Sequence, residues 1–500
     1  MVKSELVKTE AELRDIARVM LNEIKAESGD VVSRYIRVVQ FGVDFLHGSS
    51  TSGQGSHSSM NKERMDDGVY TSVFVPDLLP YNFREASVAR DLNESRFALG
   101  RKNIPLPTLE ISHIHPVPTG INMYDEEFRV FTEEHPGTSI ARALTIFQQV
   151  IANSRGGFFI QSIPSFSITY NHGFMPIPTR RDIDAVCTSE ADVRRLPALI
   201  RHIADPTLEG SINSATSFSQ AFDKLYTLSP LRFASLPAAG IPLSSLYDVV
   251  VLTGVPAHEI FGHHFEEPSG FLSYGESGTF KLGQELQNRS IILKDDPLQT
   301  VAGFHVRGFT HFDAYGRERP ARLHISDGKI LNFLGGEYCD TQNINGHLGV
   351  QPIQFFGNAV QYNDSSFPQS RMSCTVLDGR TETVDLEGKI IIVPHEGYTR
   401  PDDKTYQLRS FECYIIKEGQ PLRILPLRVT GGINQALEHI TLLDRWSYQS
   451  GMCGKQEPID RRNYASAPVS QFARNQVWAG QQVYPADLKD AHAKILTRPN

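Results

Sequence analysis

In the first stretch of the chain apolar residues fall at Leu13, Ile16, Ala17, Met20, Leu21 and Ile24, a spacing of three and four that lines one side of a helix. Thr9 stands before this run with Glu12 three residues on, the pairing of a capping box, so the helix is expected to open there. From Tyr35 to Leu46 the texture becomes YIRVVQFGVDFL, rich in β-branched and aromatic side chains, and reads as a strand. The Ser/Gly-rich run from Gly48 to Asn61 reads as a mobile loop, and GVYTSVFV beyond it resumes the strand pattern. A second helix is expected over Ser139–Ser154, where Ile140, Leu144, Phe147 and Ile151 fall on one helical face. FFIQSIPSFSITYN reads as paired strands, and EADVRRLPALIRHIA as a helix interrupted at Pro197.

From about Gly270 onward strands and hairpins dominate. RLHISDGKILNFL has an apolar run, a Ser-Asp-Gly turn and a second apolar run, and ECYIIKEGQPLRIL repeats the design with Glu-Gly at the turn. The pattern predicts an α+β protein. A mixed α/β N-terminal domain over residues 1–235, carrying the mobile Ser/Gly-rich loop, is followed by a β-rich domain over residues 236–500. At 500 residues the chain is long enough for more than one core. No repeat of fixed period, heptad or phosphate-cradling glycine loop is present, so no nucleotide cofactor is indicated. Residues 456–500 read only as a polar, partly aromatic tail.

Composition narrows the class. Hydrophobic residues make up 40% and charged residues 21%, which is ordinary globular usage. A formal net charge of -8 gives no footprint for a phosphate backbone, so no nucleic-acid partner is expected. No run approaches the roughly 18 uncharged apolar residues of a membrane span, and MVKSELVKTEAEL is too polar for a signal-peptide core, so a cytoplasmic chain with no membrane contact is expected. The 5 cysteines are odd in number and scattered, unlike a disulfide scaffold. Cys187, Cys339, Cys374 and Cys413 have apolar or β-forming neighbours and read as small buried hydrophobes, whereas Cys453 sits in GMCGK.

The chemistry concentrates in DVVVLTGVPAHEIFGHHFEEPSG, Asp248 to Gly270. Pro256 suits a first helical turn, which puts His258 and Glu259 early in a helix whose Ile260, Phe261 and Phe265 face a core. The familiar zinc helix has histidines at i and i+4 with a glutamate after the first. Here the second histidine, His263, comes one residue late, about 140° around a regular helix from His258. A single π-type turn would bring the two back into line, so a local distortion is expected. Interleaved with large apolar residues, His258, Glu259 and His263 need a buried partner, and a metal ion supplies one for all three. A catalytic zinc needs three protein ligands and an open position. The third ligand could be Glu266, Glu267, His264 or a distant residue such as Cys453, where flanking glycines permit close approach and Lys455 would favour thiolate.

HEIFGHHFE, with VVVLTGVPA before it and SGMCGK far downstream, resembles the TldD half of the TldD/PmbA metallopeptidase family, which carries HExxxH and a late Cys-Gly-Lys segment. SFPQSRMSCTVL around Arg371 and Met372 and TGGINQALEHI after Thr430 are similar to further family segments. The resemblance implies Zn2+ held by His258, His263 and Cys453, with Glu259 as base. It also implies an α/β domain followed by a β-rich one, extended peptide bound by strand pairing, and a homodimer or a heterodimer with a TldE/PmbA-like chain. The family has glycine where this chain has His264, and Glu-Gly-Asp where it has Glu266-Glu267-Pro268. Substrate choice is most exposed to that difference, and His264, Glu267 and Arg371 are the candidate substrate-binding residues.

The function expected is zinc-dependent hydrolysis of amide or peptide bonds in unfolded peptides. Other readings are a zinc amidase acting on a small biosynthetic amide, a non-catalytic partner subunit, and a structural zinc site closed by His264 or Glu266. His305, His311 and Asp313 could line the cleft, though each also suits a surface or hairpin position.

Overall fold

The computed structural model describes residues 6–25, 30–66, 69–76, 95–98, 106–173, 179–228, 246–252, 257–266, 280–281, 283–334, 359–360, 369–400, 404–456 and 464–486. The first helix, Glu10–Ile24, opens on the expected capping box, with Thr9 accepting from the Glu12 amide. It buries Leu13, Ile16, Ala17, Met20 and Ile24 against a sheet.

That sheet has eight strands among the described residues. Its main path runs Ser95–Ala98, Val69–Pro76, Ser49–Asp66, Asp30–Leu46, Thr138–Asn153, Phe158–His172 and Glu110–Ile114, with Thr179–Val186 pairing the far end of Phe158–His172. Three expectations are corrected here. The Ser/Gly-rich run is a strand, because Gly53 and Gly55 lie in an unbroken antiparallel ladder from Ser49↔Leu46 to Met65↔Asp30. Ser139–Ser154 forms no helix: Thr138–Asn153 is a strand whose burial alternates over its first half and is continuous over its second. In that second half Val150 and Ala152 pack under the first helix, while Ile151 packs with Phe159, Phe312 and Tyr315 on the other face. With both faces covered, apolar residues fall on either side of the strand and the buried Gln148 and Gln149 are bonded within the protein, so alternation is lost and the sequence mimics a helical stripe. FFIQSIPSFSITYN is likewise one long strand, Phe158–His172, rather than a pair. The helix over EADVRRLPALIRHIA changes at Leu196 from Glu190–Arg195 to a tighter 3-10 segment, Leu196–His202, with Pro197 in its first turn.

The second sheet has 13 strands among the described residues, in the order Lys329–Ile330, Arg322–Ser326, Ile291–Asp295, Cys374–Gly379, Tyr464–Pro485, Leu246–Val251, Ile390–Val393, Glu412–Lys417 and Gln420–Ile424, with further strands branching from this path. The two hairpins read from the sequence are both present, over Arg322–Ile330 and Glu412–Ile424. Gly328 in the first and Gly419 in the second take positive φ at the turns. The architecture is α+β.

One strand organises the site. Tyr464–Pro485, within the stretch that read only as a tail, pairs on one side with Ile440–Gln456 and on the other with Cys374–Gly379 and Leu246–Val251. Leu246–Val251 leads toward the histidine motif, and Ile440–Gln456 carries Cys453 opposite Ala467. The largest core of this half, including Ala257, Ile260, Phe261, Phe265 and Trp478, lies against that assembly.

Candidate metal centre

The motif helix is distorted as its spacing requires. Ala257–Gly262 is a π-turn continuing into a short α-turn, His263–Glu266. The wider turn brings the two imidazoles together, with ring centroids 4.9 Å apart. Ile260, Phe261 and Phe265 point into the core with no exposure, which anchors the turn and leaves the histidines on its other side. Gly262 permits the packing of the next layer: a Cβ there would lie 2.5 Å from Met372 Sδ and 3.3 Å from Thr375 Oγ1. Pro256 and Glu267 lie outside the described residues, as does Cys339.

His258, Glu259, His263 and Cys453 each offer one ligand atom, and these atoms all lie within 4.8 Å of one another. Cys453 Sγ is 3.1 Å from His263 Nε2, and Glu259 Oε2 is 3.5 Å from the same nitrogen. Donors around one tetrahedral zinc sit roughly 3.3–3.7 Å apart, given bonds of about 2.0–2.3 Å. Outer partners fix both rings. His258 Nδ1 faces Thr375 Oγ1 at 3.2 Å, and His263 Nδ1 faces Glu266 Oε2 at 3.0 Å. His258 Nε2 is buried with no hydrogen-bond partner among the described residues. A buried imidazole nitrogen without a partner is costly unless something else fills its lone pair, and a metal ion does so. The donor set of two imidazoles, one thiol and one carboxylate therefore fits a zinc-type ion, and the chain contains a cluster able to hold a metal.

The electrostatics favour a thiolate and a carboxylate beside a protonated His263, whose Nε2 proton a metal ion would displace. Burial pushes the Cys453 thiol up, but His263, His258 and Arg371 outweigh it and bring it down to about 6. Burial disfavours the charged form of His263, yet Cys453 and Glu266 hold it well above the usual imidazole range. Glu259 is lowered: burial opposes ionisation, but the bond to His263 and the charges of both histidines prevail. Its side chain, 19% exposed, is the member of the four with most access to solvent.

The other expected residues lie elsewhere. His264 is buried edge-on against Phe280, and burial pushes its imidazole down to about 3. Arg371 is buried beneath the cluster, donating from Nη2 to the Cys453 carbonyl at 2.8 Å. Glu266 has no exposure and contacts His263 from behind, so neither it nor His264 is among the four. His311 stacks on His113 with centroids 4.0 Å apart, His305 stacks on Phe309, and Asp313 pairs with Arg317 at 2.6 Å; none joins the cluster. Thr375 went unread, since a threonine in SCTVL looks like any strand residue. Cys187, Cys374 and Cys413 are buried free thiols, and burial pushes Cys187 and Cys413 up to about 12.

A sheet-rich α+β chain with a metal-capable cluster on a π-turn is the class these observations define. Among solved structures it is similar to TldE from Thermococcus kodakarensis, with TM-score 0.63 and 12% identity over 94% of this chain and 100% of that one. It is also similar to candidate modulators of DNA gyrase from Thermotoga maritima (TM-score 0.58, 14% identity, 95% and 100% covered) and Bacteroides thetaiotaomicron (0.56, 11%, 96% and 100%). The chain has the TldD/TldE-type fold. No protein-family model and no curated protein matches the sequence. No helix among the described residues is long and apolar enough to cross a membrane.

Proposed function

We propose that this chain is a zinc-dependent hydrolase of amide bonds in extended, unfolded peptides. His258, His263 and Cys453 would hold the ion, and Glu259 would act as base. The observation that carries the reading is the convergence of these four ligand atoms within 4.8 Å, with His258 Nε2 buried and without a hydrogen-bond partner among the described residues. Zinc in such a site lowers the pKa of water to about 7 and polarises a carbonyl. Glu259, beside His263 and the most exposed of the four, would take a proton and return it to the leaving amine, a role its access to solvent supports.

Two features support peptide as the substrate. Ile440–Gln456 is paired in the sheet with one strand alone, Tyr464–Pro485, among the described residues. Met452, beside Cys453, is 48% exposed, so an extended chain can approach alongside. The likeness to TldE supports assembly with a second copy or with a TldE-like partner. Gathering of all four side chains, on segments 190 residues apart for His263 and Cys453, weighs against a partner subunit that has lost its chemistry.

Incubation of zinc-loaded protein with unstructured peptides and with small amides tests the reading. The unmodified chain is expected to cleave the peptides, and Glu259→Gln to keep its zinc with turnover lowered at least 100-fold. Cleavage of small amides alone would replace the peptide reading, and loss of zinc in Glu259→Gln would undo the base assignment.

A further inference from the structure

We propose that Glu266 is a positioning residue of the metal centre, fixing the tautomer and aim of His263, and that Arg371 locks it in place while tying the motif helix to the cysteine strand. The inference rests on the zinc reading above.

Glu266 has no exposure, and a buried carboxylate persists only where its oxygens are satisfied. Here both are used. Oε2 faces His263 Nδ1 at 3.0 Å, and Oε1 accepts from the Met372 amide at 3.1 Å, with Arg371 Nε 3.5 Å away. The Glu266 carbonyl in turn accepts from Ser370 Oγ at 2.6 Å. A carboxylate opposite Nδ1 keeps a proton on that nitrogen, so the proton given up when a metal binds is the one on Nε2, the nitrogen that faces Cys453 Sγ 3.1 Å away. His258 has only a neutral hydroxyl, Thr375 Oγ1, in the same role, so His263 is the more firmly aimed of the two.

Arg371 completes the arrangement. Its guanidinium is 1% exposed and stands between two segments, donating from Nη2 to the Cys453 carbonyl at 2.8 Å and pairing by charge with Glu266, 3.5 Å from Nε, without a hydrogen bond there. One planar cation thus links the strand that bears the thiol, by a hydrogen bond, to the turn that bears the histidines, by charge. Its charge also offsets Glu266, which would otherwise stand uncompensated near a thiolate. Glutamine at position 266 cannot replace the carboxylate: it has one acceptor oxygen for two donors, so its NH2 must face either His263 Nδ1–H or the Met372 amide.

The test is zinc affinity, measured by competition with a chromophoric chelator, for the unmodified chain, Glu266→Gln and Arg371→Lys. Circular dichroism and thermal melting of each zinc-free protein accompany it. Glu266→Gln is expected to bind zinc about 10–100-fold more weakly, its zinc-free form still folded by circular dichroism but melting lower because the Arg371 charge is left uncompensated, and Arg371→Lys, which keeps the charge but loses the planar guanidinium, about 10-fold more weakly. In the cobalt(II)-loaded proteins, reduced thiolate-to-metal absorption in Arg371→Lys would report the displaced cysteine strand. Unchanged affinity in Glu266→Gln would overturn the positioning role and leave the zinc reading standing, whereas no zinc binding by the unmodified chain would overturn both. Should Glu266→Gln fail to fold, Arg371→Lys decides: full affinity and an unaltered cobalt spectrum would sink the proposal.

Discussion

At the scale of single residues, the site depends on small groups that hold larger ones. Thr375 is buried and its hydroxyl is the partner of His258 Nδ1. Thr375→Val keeps the shape and removes that partner, so zinc affinity is expected to fall about 10-fold or more, read by chelator competition. Unaltered affinity would mean that His258 needs no outer partner. Gly262 is the steric counterpart. A methyl group there meets Met372 Sδ at 2.5 Å and His258 Nδ1 at 3.4 Å, and Met372 is too deeply buried to swing clear. Gly262→Ala is expected to destabilise the fold by about 1–3 kcal/mol, the usual range for overpacking, measured by denaturant unfolding. Gly397 plays a similar part beneath Glu259, whose Cγ would lie 2.9 Å from an added Cβ.

At the scale of elements, the motif was legible and its scaffold was not. The five-residue spacing of His258 and His263 demands a π-turn, and Ala257–Gly262 forms one. The capping box at Thr9 and both hairpin turns follow from local chemistry, and all three are present. Long strands covered on both faces were misread, because Thr138–Asn153 is buried at every position of its second half and periodicity then loses its meaning. Gly53 and Gly55 suggested a loop, but a ladder of 17 partnered positions overrides their weak strand preference. The least legible element was Tyr464–Pro485, whose importance lies in non-local pairing to four strands. A chain ending after Gln456 keeps all four cluster residues but lacks this strand. It is expected neither to fold cooperatively nor to bind zinc, as judged by circular dichroism and metal content; a folded, zinc-binding product would show that the strand is dispensable.

At the scale of the whole molecule, the two sheets are joined by shared core and by charge. Val39, Phe166 and Ile183 of the first sheet lie in one cluster with Val376 and Tyr448 of the second. Beside them Arg181 of Thr179–Val186 meets Glu412 of Glu412–Lys417 in a two-pronged pair at 2.6 and 2.8 Å, with both side chains buried. Burial pushes Glu412 up, but Arg181 outweighs it and holds the carboxyl down at about 2, below its ordinary 4.5. A depressed carboxyl stabilises the fold above its unfolded pKa and loses that contribution as pH falls, here between about 4.5 and about 2. Glu412→Gln strands the arginine charge and is expected to cost about 3–5 kcal/mol at neutral pH, while removing this part of the acid transition. Asp295 acts with the opposite sign. Burial pushes it up to about 7 despite Arg319, so its contribution is complete below about 3.8 and is lost as pH rises toward 7. Asp295→Asn should therefore flatten the stability profile between those values in pH-dependent melting.

The central claim is that His258, His263 and Cys453 hold a zinc ion between the π-turn and the last long hairpin of the second sheet. Elemental mass spectrometry of the purified chain beside its Cys453→Ser variant tests it most directly. About one zinc per unmodified chain, largely lost in the variant while its circular dichroism spectrum is preserved, is the result the account predicts. Little zinc in the unmodified chain after reconstitution, or equal zinc in both proteins, would contradict it.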